Sequence, residues 1–238
     1  MKTETLAYNA DGADMIGMLA LPDGGGAHPA VLVCHEGPGI SEHAYNVAKR
    51  LAGLGYVAFA MDYHGGGKAL PMTEARVKIG EWLADPAGIR ARATAALAVL
   101  TGRPEADASN VAAIGYCFGG TTALELARSG ADLKAAVGFH SGLATARPQD
   151  ASHIKGKVLA LIGAADPLIP AEQRQAFEAE MAAAKVDWRI NVYGGVGHSF
   201  TNPDVGQLGR PGFDYHEVTD QRSWRAMLDL FGEVFGPV

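Results

Sequence analysis

Val111-Ala112-Ala113-Ile114-Gly115-Tyr116-Cys117-Phe118-Gly119-Gly120 is the stretch on which the fold turns. Val111 to Tyr116 is an apolar run of the kind a strand covered on both faces requires, and Phe118 to Ser129 reads as a helix. A strand that passes into a helix through Gly-x-Cys-x-Gly must bend sharply, and Gly115 and Gly119 lack the Cβ atoms that would clash in the bend. Cys117 then stands at the apex in a strained conformation with its thiol thrust outward. The N-terminus of the following helix adds a positive field and free N–H groups, which favour a thiolate and a developing oxyanion. A buried cysteine flanked by packing glycines is the plainer reading of the same letters.

Outward from this turn the pattern alternates. Upstream, Glu4 to Tyr8 and Met15 to Leu21 flank Asn9-Ala10-Asp11-Gly12 and read as a hairpin. Ala30 to Cys34 and Tyr56 to Asp62 are buried strands around a helix from His43 to Leu54, which Gly55 stops. Pro86 and Gly88 interrupt the region after Pro71, and a helical pattern resumes over Ile89 to Leu100. Downstream, strands over Ala135 to Phe139, Val158 to Gly163 and Asp187 to Tyr193 alternate with helices over Ala171 to Ala184 and Val218 to Phe235. Such alternation predicts a single α/β domain over 1–238, a mostly parallel central sheet flanked by helices with right-handed crossovers.

Composition narrows the function. The net charge of −6 comes from scattered acids with no Lys/Arg run, so nucleic-acid binding has no support and a small molecule is the expected partner. The apolar runs are strand-length, far short of the ~20 residues that cross a bilayer, and no signal core follows Met1, so no membrane association and a cytoplasmic location are expected. Cys34 and Cys117 are the only cysteines, too few for a disulfide framework in a chain of this size. Glycine at 31 of 238 is about twice the usual ~7%, and much of it sits just after apolar runs, as many short strand-to-helix turns require.

A cysteine nucleophile needs a base, and the base an orienting acid; folds with this turn carry them later in the chain, acid before histidine. Asp166 follows the strand Val158 to Gly163, although an Asp-Pro pair is also a common turn former. His198 follows the last strand in a glycine-rich loop that can bring an imidazole over the sheet edge. Cys34-His35-Glu36-Gly37-Pro38-Gly39 follows the first buried strand, where half of an oxyanion hole is expected, so the Gly37 and Phe118 N–H groups are the candidate donors. Glu36 falls beside the nucleophile. His35, His64 and His140 lie at strand ends, as packing or as substrate contacts, and Phe200 is a further candidate contact. Cys34, His35 and Glu36 alternate faces along a strand and cannot converge on zinc by themselves, so neither metal nor cofactor is expected.

At the Gly-Tyr-Cys-Phe-Gly-Gly turn, the His35-Glu36 pair, the Gly163 to Pro170 loop and Gly197-His198-Ser199-Phe200, the chain resembles the dienelactone hydrolase family, in order and over nearly its whole length. The resemblance implies an α/β-hydrolase fold, a triad of Cys117, Asp166 and His198, and a Glu36 that meets the resting thiol and shifts when substrate binds. It departs at substrate recognition: dienelactone hydrolases proper carry an arginine a few residues beyond the histidine, where this chain reads Thr201-Asn202-Pro203. Their second substrate arginine, before the turn, corresponds to Arg76, whose plainer reading is an exposed helical arginine without a substrate role. The expected activity is hydrolysis of small esters or lactones through a thioester, with acyl transfer, thioester hydrolysis and a non-catalytic binding protein as rivals; the oligomeric state is left open.

Overall fold

The computed structural model describes residues 1–236, apart from the side chain of Leu208; residues 237 and 238 of the expected domain lie outside the described part. One eight-stranded sheet runs through it in the order β1-β2-β4-β3-β5-β6-β7-β8. The strands are β1 (Lys2–Ala10), β2 (Ala13–Leu21), β3 (His28–Cys34), β4 (Val57–Met61), β5 (Ala106–Tyr116), β6 (Ala135–Phe139), β7 (Lys157–Gly163) and β8 (Trp188–Tyr193). The β1–β2 hairpin joins the sheet antiparallel through β4, and every other pairing, from β4–β3 to β7–β8, is parallel. This is the mostly parallel α/β architecture that the alternating pattern predicts.

Period-two alternation divides the strand residues between two cores. In β3, Ala30, Leu32 and Cys34 face one core while Val31 and Val33 face the other; in β5, Val111 and Ala113 oppose Ala112, Ile114 and Tyr116. The first core is closed by α3 (Ala87–Thr101), α4 (Phe118–Arg128) and α5 (Ala171–Ala183), and the second by α1 (Glu42–Ala52) and α6 (Glu217–Phe235). Both faces of the sheet are therefore covered, which is why its central strands read as unbroken apolar runs.

The region after Pro71 differs from the sequence expectation. Met72–Ala84 is a helix, α2, and Pro86 starts α3 rather than interrupting it, since a helix entrance tolerates a residue without an N–H. In α2 only Ala75 is fully buried, while Met72, Val77 and Leu83 remain exposed. The apolar residues thus trace no stripe toward the core, which removes the period that marks a surface helix.

Candidate active site

The nucleophile turn is built as its glycines require. Cys117 has φ 53° and ψ −121°, a left-handed φ for a residue that is not glycine, between the end of β5 and the first turn of α4. A Cβ at Gly119 would stand 2.2 Å from the Cys34 carbonyl oxygen and 2.3 Å from that of His35, and one at Gly115 would stand 2.0 Å from the Gly119 oxygen. The turn can therefore lie directly on the end of β3 only without those side chains. The Cys117 N–H is shared between the Phe139 carbonyl at 3.0 Å and His140 Nδ1 at 3.1 Å, while the Cys117 carbonyl accepts from Gly120 N at 3.1 Å.

Asp166 and His198 come together from the ends of β7 and β8. His198 Nδ1–H donates to Asp166 Oδ2 at 2.7 Å, and the other carboxylate oxygen accepts the Leu168 N–H at 2.8 Å, so Asp166 is held on both sides. His198 is anchored through its backbone: its N–H donates to the Gly212 carbonyl at 2.7 Å, and it pairs as a parallel bridge with Phe213. Its Nε2 is buried and has no hydrogen-bond partner among the described residues. Burial lowers the imidazole pKa, but a negative charge on Cys117 and the Asp166 hydrogen bond outweigh it and push the group up to about 10. A thiolate, once formed at Cys117, therefore faces an imidazolium.

Cys117 and His198 line one cavity of about 480 Å³ together with Gly37, Phe118, Ile79 and Phe213. Most of its wall is apolar, and two arginines, Arg76 from α2 and Arg210 from the loop before α6, lie on its lining with no ion-pair partner among the described residues. Sequence reading passed over Arg210. Its setting, Gly209-Arg210-Pro211-Gly212, signals a turn but not that the turn folds back over the His198 loop. Gln173 also reaches the cavity; its Oε1 is occupied by the Leu143 N–H at 2.7 Å, which leaves its amide hydrogens for other use.

The loop after β3 carries Glu36 and Gly37. Neither the Gly37 N–H nor the Phe118 N–H enters a backbone hydrogen bond among the described residues outside the regular elements, and Phe118, as the first residue of α4, has no acceptor within its helix. The Gly37 carbonyl accepts from His64 Nε2 at 2.8 Å, which fixes the loop from below. Glu36 turns its carboxylate to Asn202, whose Nδ2 donates to Oε2 at 2.6 Å, with His43 Nδ1 at 3.9 Å. Beside this group lies a second, smaller cavity of about 210 Å³, lined among others by His43, Arg50, Asn202 and Asp220.

Three expected substrate contacts do not reach the cavity. His35 is buried with its Nδ1 on the Glu36 carbonyl at 2.7 Å and its ring stacked on Tyr63, Phe200 is fully buried in the core under α6, and His140 is fully buried behind the nucleophile turn. A strand-end position in the sequence does not distinguish a side chain that points into the cavity from one that points beneath it. β3 ends at Cys34, so strict face alternation does not extend through His35 and Glu36; no cluster of three or more His, Cys, Asp or Glu suited to a metal occurs among the described residues.

Comparison with known proteins agrees with this fold. A solved structure of a dienelactone hydrolase-like promiscuous phosphotriesterase from metagenomic libraries is 41% identical, with a TM-score of 0.93 over 98% of both chains. Another, m3DLH, is 45% identical with a TM-score of 0.94 over 98% of both chains. Proteins bearing the name carboxymethylenebutenolidase include one of Salmonella typhimurium, 29% identical over 98% of this chain and 92% of that one. One of Yersinia pestis is 30% identical over 93% of this chain and 85% of its own length. A model of the dienelactone hydrolase family matches residues 15–235. With the strand-turn-helix at Cys117 and the late Asp166 and His198 loops inside that match, the chain belongs to the dienelactone hydrolase family.

Proposed function

We propose that the protein hydrolyses small carboxylic esters and lactones, with Cys117 as nucleophile, His198 as general base and acid, and Asp166 as the group that orients His198. One observation carries this reading: Cys117, on a strained turn at a helix N-terminus, shares a cavity with a histidine whose far nitrogen is bonded to a buried carboxylate. The thiolate attacks the carbonyl carbon, and the oxygen that gains charge is met by the Gly37 and Phe118 N–H groups. Collapse of this intermediate forms a thioester to Cys117 and expels the alkoxide, which takes the His198 proton. Neutral His198 then removes a proton from water, the hydroxide attacks the thioester, and the acid leaves as thiolate and imidazolium are restored. Glu36 serves as the group that activates the resting thiol, by leaving Asn202 and taking the thiol proton when substrate enters, and it returns that proton to the thiolate once the acid has left. None of these steps calls on a metal or organic cofactor.

Arg76 and Arg210 suit a substrate that carries a carboxylate beside its ester or lactone group, and the apolar wall suits a flat carbon skeleton. A second activity, phosphotriester hydrolysis, is favoured by the relative of 41% identity whose structure carries that description. A thiol used this way stays reduced in the cytoplasm, where we place the protein.

The test is a p-nitrophenyl acetate burst followed by intact mass. The wild type is expected to show an acetyl adduct that decays by hydrolysis, absent in Cys117→Ala. Unchanged turnover in that variant would overturn the nucleophile assignment. Added alcohols or thiols that divert the acyl group would turn the reading toward acyl transfer, and a panel of activated esters, lactones and thioesters without any turnover would leave a binding role.

A further inference from the structure

We propose that His140 is a positioning residue that ties the backbone of Cys117 to the loop bearing His198; the idea rests on Cys117 being the nucleophile.

His140 follows β6 with φ 40°, and its own N–H is fixed by the Leu161 carbonyl at 2.8 Å. A non-glycine residue held at positive φ and wholly buried marks a place where the surroundings over-determine the backbone. The ring explains what they fix. Cys117 N–H approaches Nδ1 at 3.1 Å, and a backbone amide can only donate, so Nδ1 is the acceptor and Nε2 carries the hydrogen. That hydrogen is donated to Thr201 Oγ1 at 2.8 Å. Only the neutral imidazole with its proton on Nε2 makes both bonds. Burial, then the charges of His198 and His43, hold its pKa well below the ordinary value, so this form persists.

The two ends of the ring touch two parts of the site that are far apart in sequence. At one end is the peptide that sets the strained angles of Cys117; at the other is Thr201, in the same loop as His198. The Thr201 carbonyl meets His43 Nε2 at 3.2 Å, and the next residue, Asn202, holds Glu36. One imidazole therefore fixes the distance between the nucleophile turn and the loop that carries both the base and the Glu36 anchor. His140 is absent from the cavity lining, so it acts through Cys117 and His198 rather than on substrate. Its ring lies 5.1 Å from that of His198 and 5.1 Å from that of Phe200, so an apolar ring of similar size fills the space and isolates the polar bonds as the variable.

The experiment compares wild type, His140→Phe, His140→Asn, Thr201→Val and Thr201→Ser by the rate of acetyl-Cys117 formation, kcat, KM and the pH dependence of iodoacetamide alkylation of Cys117. His140→Phe is expected to slow acylation about 10- to 100-fold through misplacement, with KM within about twofold and the alkylation profile displaced. His140→Asn, whose Oδ1 can stand in for Nδ1 toward the Cys117 N–H, recovers part of the loss. Thr201→Val slows acylation, Thr201→Ser restores it, and adding Thr201→Val to His140→Phe costs nothing further, because the two share one connection. If His140→Phe does not fold, the Thr201 pair decides. Wild-type acylation and alkylation profiles in Thr201→Val and in any folded His140→Phe overturn the proposal while leaving Cys117 in place. Wild-type turnover with no adduct on Cys117 overturns the nucleophile reading itself.

Discussion

Asn202 Nδ2 donates to Glu36 Oε2 at 2.6 Å, so the Glu36 carboxylate is held by the histidine loop, and among the described residues no hydrogen bond joins it to the Cys117 sulfur. In this chain an amide thus occupies the stretch where dienelactone hydrolases proper carry a substrate arginine. Glu36→Gln removes the proton acceptor but keeps a partner for Asn202. It is expected to slow formation of the acyl adduct about tenfold or more, with little effect on its hydrolysis. Rapid-mixing burst kinetics separate the two steps. Asn202→Ala, which frees the carboxylate, is expected to change the adduct rate less than Glu36→Gln does.

The pH dependence follows from His198. With Cys117 charged, the folded pKa of His198 is raised from 6.5 to about 10, so an imidazolium facing the thiolate that Glu36 generates persists through neutral and mildly alkaline solution. kcat/KM is expected to stay level there and to fall as pH approaches 10. A raised folded value also means that the bound proton favours the native state: this contribution is whole below the unfolded value of 6.5 and is lost as pH rises through about 10. In Cys117→Ala the thiolate charge is gone, and NMR titration of His198 should show its midpoint lowered.

Arg76 and Arg210 are exposed and line the cavity, so their effect is expected on selectivity rather than on chemistry. Arg76→Gln and Arg210→Gln are each expected to raise KM for a carboxylate-bearing lactone by about three- to tenfold, within the modest range of solvent-exposed charge pairs. Values for a neutral ester should barely move. Equal losses on both substrates would count against an anion-reading role.

Gly119→Ala is expected to disrupt the site. A Cβ would lie 2.2 Å and 2.3 Å from two backbone oxygens, neither of which can rotate aside. The cost should be about 2–4 kcal/mol of stability with loss of the acyl adduct, read by thermal melting and by intact mass.

Behind the site, Arg128 is fully buried, with both Nε and Nη2 on Glu180 at 2.8 and 2.9 Å, Nη1 on Glu125 at 3.0 Å and Nη2 also on the Leu143 carbonyl at 3.0 Å. It fastens α4 to α5 and to the strand-end segment after β6. Arg128→Met strands the Glu180 carboxylate, while Glu125 keeps Arg90 Nε at 2.9 Å, and is expected to cost about 3–5 kcal/mol in urea unfolding. Replacing Glu180 by Gln in the same variant should recover part of it.

The sequence by itself determined the alternating sheet and helices, because burial on both faces leaves unbroken apolar runs along β3 to β7. It also placed Cys117, since a strand-to-helix turn this tight excludes side chains at Gly115 and Gly119. Asp166 and His198 were legible for a similar reason: strand ends followed by turn-forming residues deliver side chains to one edge of a parallel sheet. Tertiary structure alone decided the rest. Helix α2 carries no apolar stripe because its exposed residues border a cavity instead of a core. Arg210 reaches that cavity only because the loop before α6 folds back and pairs Phe213 with His198. His140 and Arg76 illustrate the same limit from opposite sides, one buried beneath the turn and the other lining the cavity. A position in the chain fixes which edge of the sheet a residue reaches, but packing against distant segments fixes which way its side chain points.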